Sequence, residues 1–240
     1  MKLTFLGTRG EIDARTRRHR RHTALLVEYR GGRVMVDCGE DWRGQLDAVR
    51  PRGIVLTHAH PDHAWGLADG APCPVWATDD TWADIDTYPL RDRHVVRPRE
   101  TFELEGVGFE AFTVEHSTRC PAVGYRVAAG ATALWYAPDL MYIHERGEAL
   151  GHVGLYVGDG ATLTRSFVRK QGDRLIGHTP VRTQLTWCQK EGVPEAVITH
   201  CGRQIVAGDE RRIGPQVRRW GQQRGVTARI AFDGMERVLR

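Results

Sequence analysis

The sequence predicts an α/β fold, an αββα sandwich of two mixed β-sheets flanked by helices. Three observations predict it. Strand-like and helical segments alternate through two broad halves of the 240-residue chain, the pattern expected of two sheets covered by helices. The run GIVLT (53–57) is apolar up to its last residue, as a strand is when both its faces are buried. Candidate ligand side chains fall where such runs stop, at His58 and His60, His116, Asp139 and His200. Strand ends along one rim of a sheet converge in space even when they are distant in sequence.

The elements follow in order. KLTFLG (2–7), TALLVEY (23–29) and RVMVDCG (33–39) are rich in strand-favouring residues, and RGG between the last two reads as a hairpin turn. A short amphipathic helix is expected over 43–49, then the strand at 53–57, helical character over 62–69, the strand PVWAT and a helical patch at 79–84. Residues 100–116 read as a hairpin, AVGYRVAAG (122–130) and TALWYAPD (132–139) as strands, and VGLYVGDG (153–160) as a strand followed by a basic loop. TPVRTQLTWCQKEG (179–192) predicts a helix with Thr179 as N-cap, Pro180 at the first helical position and Gly192 at its end. EAVITH (195–200) is a strand, 209–223 a basic amphipathic helix and TARIAFDG (227–234) a final strand. Residues 1–240 read as a single domain.

Composition narrows the function classes. Hydrophobic residues make up 41% and charged residues 27%, an ordinary globular balance. No apolar run approaches the roughly 18 residues that cross a bilayer, and the apolar core of MKLTFLGTRG is too short for a secretory signal. Five scattered cysteines without a C-x-x-C pair point to reduced thiols and a cytoplasmic location. The net charge of +4 does not by itself indicate nucleic acid. The denser segment 9–22 carries Arg9, Arg15, Arg17, Arg18, Arg20 and Arg21 against Glu11 and Asp13. It reads either as a solvated mobile loop or as a clamp for anionic substrate, since guanidinium forks match phosphate oxygens.

The chemistry centres on LTHAHPDHAWG (56–66). Residues two apart on an extended chain face the same way, so His58 and His60 can grip one ion. Pro61 disfavours helix at residue 60 and suits the first turn of a helix that follows. Asp62 and His63 are therefore aimed differently and can serve a second ion. A single helical zinc site would space its histidines as H-E-x-x-H, which is not this pattern.

H-x-H-x-D-H is the signature of the metallo-β-lactamase superfamily, which the chain resembles along nearly its whole length. VEHST, YAPDL and VITHCG match the family order and supply His116, Asp139 and His200. The resemblance implies that His58, His60 and His116 hold one divalent ion and Asp62, His63 and His200 a second, with Asp139 bridging. It also implies that Asp37 in VMVDCG orients a ligand from behind. Imidazole and carboxylate ligands suit zinc, manganese or iron.

His178 in IGHTPVRTQL lies 22 residues before His200, where the phosphodiesterase branch of the family, which includes ribonuclease Z and the phosphoribosyl cyclic phosphodiesterase, has a histidine. VEHSTRCPAVGYRV and the ending AFDGMERV resemble the cyclic phosphodiesterases in particular. The Arg-rich, cysteine-free residues 10–22 depart from their cysteine-rich structural zinc insert. No segment matches the tRNA-gripping arm of ribonuclease Z. The resemblance therefore implies a two-metal phosphodiesterase in which a metal-bridging hydroxide attacks phosphorus and His178, together with Asp62, is catalytic. Its partner would be a phosphodiester small molecule or a short nucleic acid, with no membrane role and with a homodimer allowed. Arg9, Ser117 and Arg203 are further candidates for substrate contact. The alternatives are a nucleic-acid-processing nuclease gripping with residues 9–22, and a thioester or lactam hydrolase of the same fold.

Overall fold

A computed structural model of the chain describes residues 1–171 and 174–240. In chain order the first elements are β1 (Lys2–Gly7), β2 (Ala24–Tyr29), β3 (Gly32–Val36), α1 (Leu46–Val49), β4 (Gly53–Val55), α2 (Pro61–Ala64), β5 (Val75–Ala77), α3 (Asp79–Asp84) and β6 (Arg93–Val95). The middle contributes β7 (Thr101–Leu104), β8 (Val107–Glu115), β9 (Ala122–Ala129), β10 (Thr132–Tyr136), β11 (Tyr142–Ile143), α4 (Arg146–Ala149) and β12 (Leu155–Asp159). The chain continues through β13 (Phe167–Gln171), β14 (Arg174–His178), α5 (Val181–Lys190), β15 (Glu195–Thr199), α6 (Arg203–Val206), α7 (Glu210–Gln222), β16 (Thr227–Ile230) and β17 (Met235–Val238).

These strands form two mixed sheets. The first is seven-stranded, in the order β17-β1-β2-β3-β4-β5-β6, antiparallel as far as β3 and parallel beyond it. The second is eight-stranded, in the order β11-β8-β9-β10-β12-β15-β16 with β7 beside β8. Its β10, β12, β15 and β16 are parallel. Side-chain alternation explains the layering. Leu25 and Val27 of β2 join the apolar layer between the sheets with Phe109, Tyr125 and Leu134, whereas Leu26 packs outward with Trp42, Leu46 and Trp82. On the second sheet Trp135, Tyr156 and Ile198 face outward against Val181 and Leu185 of α5 and Val217 of α7. A run such as ALLV is continuously apolar because both of its faces are covered.

Four expectations change. The basic loop after residue 160 contains β13 and β14, which pair antiparallel away from both sheets. With no sheet to bury them, they lack the apolar run that marks a core strand. The helix expected from Thr179 starts at Val181, with Pro180 rather than Thr179 at the N-cap. The helix expected over 43–49 is a single turn at 46–49 after a 3-10 turn at Glu40–Trp42. The final strand stops at Ile230, and Gly234 (φ 83°) lets the chain turn and return as β17 beside β1.

Residues 9–22 are pinned. Asp233 accepts from the backbone N–H of Arg20 (2.9 Å) and Arg21 (3.0 Å) and from the Thr8 hydroxyl (2.7 Å). Asp41 takes Arg9 and Arg15, and the guanidinium of Arg21 lies over Trp42.

Candidate metal centre

Strand β4 is wholly buried and delivers His58, which is itself 0% exposed. His60 is extended (φ −60°, ψ 155°) and precedes α2, with Pro61 at the first helical position. Pro61 contributes no amide where none is needed, and Asp62 and His63 follow on the first turn. The remaining groups come from the second sheet and from β14. His116 follows β8, Asp139 lies just past β10, Asp159 ends β12, His178 ends β14 and His200 follows β15.

Three imidazoles meet at one point. His60 Nδ1 lies 3.0 Å from His58 Nε2 and 3.1 Å from His116 Nε2. Burial first, and then the neighbouring imidazoles, push His58 well below the ordinary histidine value, and burial takes His60 down to about 4. An unprotonated imidazole keeps a nitrogen lone pair that can serve a cation. Beside them His200 Nε2 lies 3.0 Å and His63 Nε2 3.4 Å from Asp62 Oδ2. Asp139 Oδ2 reaches both groups, at 3.7 Å from His58, 3.8 Å from His63 and 3.5 Å from His200. Burial opposes the charge on Asp62 and Asp139, but the surrounding histidines hold both carboxyls well below the usual range. Burial likewise opposes a proton on His63, and Asp62 and Asp37 overcome it, raising the group to about 10.

This donor set fits divalent cations. Possible ligand atoms of His58, His60, His116 and Asp139 lie within 4.8 Å of one another, as do those of Asp62, His63 and His200. His63 Nε2 and His200 Nδ1 are buried without a well-formed hydrogen bond among the described residues. Such atoms are costly unless something coordinates them. A cation would replace the protons that His63 and His200 otherwise carry against the carboxylates.

Support lies directly behind. Asp37 is fully buried in a left-handed conformation (φ 63°). Its Oδ1 accepts from the backbone N–H (2.8 Å) and hydroxyl (2.9 Å) of Thr57, and its Oδ2 from His63 Nδ1 (3.0 Å) and the Tyr136 hydroxyl (3.3 Å). His200 is also left-handed (φ 48°). Backbone held this way in a non-glycine residue is costly and collects at functional sites.

His178 faces two carboxylates, its Nδ1 being 2.9 Å from Asp159 Oδ2 and 2.9 Å from Asp139 Oδ1. Burial opposes its proton, but Asp139 and Asp159 raise the group to about 10. Sequence reasoning misses Asp159, although it is another acid at a strand end, in VGDG. Gln184, fully buried on α5, fixes it: its Nε2 donates to the carbonyls of Asp159 (2.6 Å) and Thr179 (3.1 Å), and its Oε1 accepts from Asp159 N–H (2.9 Å). No sequence signal marks Gln184, whose partners are more than twenty residues away or across a loop.

A cavity of about 450 Å³ opens over these groups, lined by Asp62, His116, His178, Ile12, Phe167 and Arg203 among others. Of the residues expected to touch substrate, Arg203 lines it. Arg9 does not: it is 1% exposed, paired with Asp41 and bonded to the carbonyls of Gly10, Ile12 and Arg20. Its guanidinium is taken up by the protein, which corrects that expectation. Ser117 accepts from the N–H of Arg119 (3.2 Å) and of Cys120 (3.4 Å), closing its own turn.

The family model described as the beta-lactamase superfamily domain matches residues 32–201. A curated relative, ribonuclease Z of Kineococcus radiotolerans, is 28% identical over 190 residues, which cover 62% of this chain and 58% of that protein. The chain thus matches somewhat over half the length of that relative. Among solved structures, a diphosphatase from the PhnP family superposes with TM-score 0.75 at 20% identity, covering 100% of this chain and 98% of that one. Human tRNase Z, short form, gives 0.67 at 17% identity, covering 100% of both chains. At such identities these two structures speak to the fold.

Proposed function

The chain belongs to the metallo-β-lactamase superfamily, and on that premise we propose that it is a phosphodiesterase dependent on two divalent metal ions, zinc or manganese. The observation that carries this reading is His178, held by two carboxylates at the edge of the cavity over the histidine cluster. A hydrolase of thioesters, whose thiolate leaves without a proton, has less need of a fixed proton donor beside its metals.

His58, His60 and His116 would hold one ion, Asp62, His63 and His200 the other, and Asp139 would lie between them. The bound pair would supply Lewis acidity toward phosphoryl oxygens and lower the pKa of a water. The chain's own groups do the rest. Asp37 holds the His63 ring so that Nε2 faces Asp62. Asp159 and Asp139 take the Nδ1 side of His178, leaving its Nε2 to bond a phosphoryl oxygen or protonate the departing alkoxide. Arg203, which lines the cavity, would meet a non-bridging oxygen. Because groups from both halves meet in one site, residues 1–240 would act as one catalytic domain.

The relative named ribonuclease Z favours a nucleic-acid phosphodiester. The structural neighbour described as a diphosphatase adds a phosphoanhydride as a comparison substrate. The test is hydrolysis of bis(p-nitrophenyl) phosphate by protein of measured metal content. Chelation should abolish turnover, and Asp62→Ala and His178→Ala should each lower it by about a hundredfold or more. Unimpaired turnover after chelation, or thioester hydrolysis with inert phosphodiesters, would overturn the reading.

A further inference from the structure

A second cavity of about 450 Å³ lies between residues 16–19 and α7. Arg17, Arg18, Arg211, Arg218 and Arg229 line it, with Glu210 as the carboxylate among its lining residues. These five cations against one anion carry a charge equal to the +4 of the whole chain, so the remaining charges balance. Arg18 pairs with Glu210 at 3.1 Å and Arg229 with Glu195 at 3.2 Å. For Arg17, Arg211 and Arg218 no carboxylate stands within ion-pair distance among the described residues. Arg211 and Arg218 are seven apart on one face of α7, roughly 10 Å along its axis. Between them Gly214 and Pro215 put no long side chain into the groove.

The groove adjoins the metal cavity. The one-turn helix α6 gives Arg203 and Gln204 to the metal cavity and Ile205 and Val206 to the groove. A polyanion running past Arg203 over the exposed side of α6 would pass from one to the other. The metal cavity also carries Phe167, an aromatic ring left 54% exposed. A basic channel for the backbone combined with an open aromatic face for a base is how single strands are bound. A duplex keeps its bases stacked and has no use for the ring.

We propose that this groove holds the backbone of a single-stranded nucleic acid whose scissile phosphodiester occupies the metal cavity. The assignment rests on the phosphodiesterase reading above and names its substrate. It also relocates the grip expected of residues 9–22. Arg9 is buried against Asp41, Arg15 pairs with Asp41 at the surface and Arg21 lies over Trp42, while Arg17 faces the groove opposite α7.

The test is fluorescence anisotropy of a labelled single-stranded phosphorothioate oligonucleotide with the metal-loaded protein, over roughly 50 to 200 mM salt. Arg17→Gln/Arg211→Gln/Arg218→Gln should lower the log–log salt slope by about 2, at about 0.7 for each phosphate no longer neutralised, and weaken binding at least about tenfold. Phe167→Ala should weaken binding about tenfold without changing the slope. A thermal melt matching the wild type shows that a variant is folded; should the triple variant fail it, Arg211→Gln/Arg218→Gln on the exposed helix face takes its place. A wild-type slope in the folded variant, or a duplex of the same length binding as tightly as the single strand, would overturn the assignment. Failure of the wild type to hydrolyse bis(p-nitrophenyl) phosphate would instead sink the proposed activity, and the slope would still decide the groove.

Discussion

Asp37 has its two oxygens occupied by four donors, of which His63 Nδ1 is the one that bears on the metal centre. Replacing it by asparagine keeps the volume and removes one acceptor. The amide must then confront Thr57 or His63 with a donor of its own, and the His63 ring is no longer fixed. Asp37→Asn is expected to weaken metal binding by about 10- to 100-fold, read by competition with a chelator. This residue is legible in the sequence because VMVDCG places an acid at a strand end beside the H-x-H-x-D-H run. Asp159 occupies the same kind of position without being legible, since nothing close in sequence announces the histidine it meets nineteen residues on. Arg9 misleads for the opposite reason. In a run of arginines it reads as solvated, whereas its partner Asp41 lies 32 residues away and draws it into the interior.

Among the elements, β14 and the segment before β2 carry site residues without belonging to the core. Gly177, one residue before His178, has φ 127° and donates its N–H to the His116 carbonyl at 2.8 Å. A Cβ there would collide with the Phe167 carbonyl across the β13–β14 pair. Gly177→Ala is expected to displace His178 and, of the metal-facing groups, to disturb only His116, which bonds Gly177. Turnover should fall about as far as in His178→Ala while metal content falls much less, a split visible by comparing kinetics with elemental analysis. The N-terminal segment is held by His19, whose Nδ1 is 2.8 Å from the Thr8 hydroxyl, which in turn donates to Asp233. Burial, aided by the charge of Arg18 and opposed by Glu210, lowers His19 to about 4. An unfolded histidine titrates near 6.5, so the unfolded chain binds the proton first as pH falls. The stability this residue contributes is complete above about 6.5 and is lost progressively toward about 4. His19→Asn keeps a polar partner for Thr8 and lacks the titration, so its melting temperature should fall less steeply across that window. Both elements escape sequence reading, because β13 and β14 have no sheet beneath them and the 9–22 segment is fixed by a turn at the far end of the chain.

For the molecule as a whole, the two-sheet architecture is readable because continuous apolar runs demand cover on both faces, and the strand-end ligands point to one rim. The same arrangement divides the proposed ligands between the sheets. His58, His60, Asp62 and His63 come from the segment after β4 in the first sheet, and His116, Asp139 and His200 from strand ends of the second. Metal ions held there would therefore join two layers that otherwise cohere through the apolar contacts between them. Without metal, the buried nitrogens of His63 and His200 lose their coordination, and protons on these rings must balance the carboxylates. Ions that bind the folded chain alone stabilise it by about 2.7 kcal/mol when present at about a hundredfold over their dissociation constant. For a chain of this size each kcal/mol is about 2–4 °C. Chelation should therefore lower the melting temperature by about 5–10 °C for each ion removed, and zinc or manganese added back should restore it. The shift should shrink in parallel in Asp62→Ala from one sheet and His200→Ala from the other, since each disables the same junction. A melting temperature indifferent to chelation in the wild type would mean that the sheets are not joined through this site, whatever the metal does for turnover.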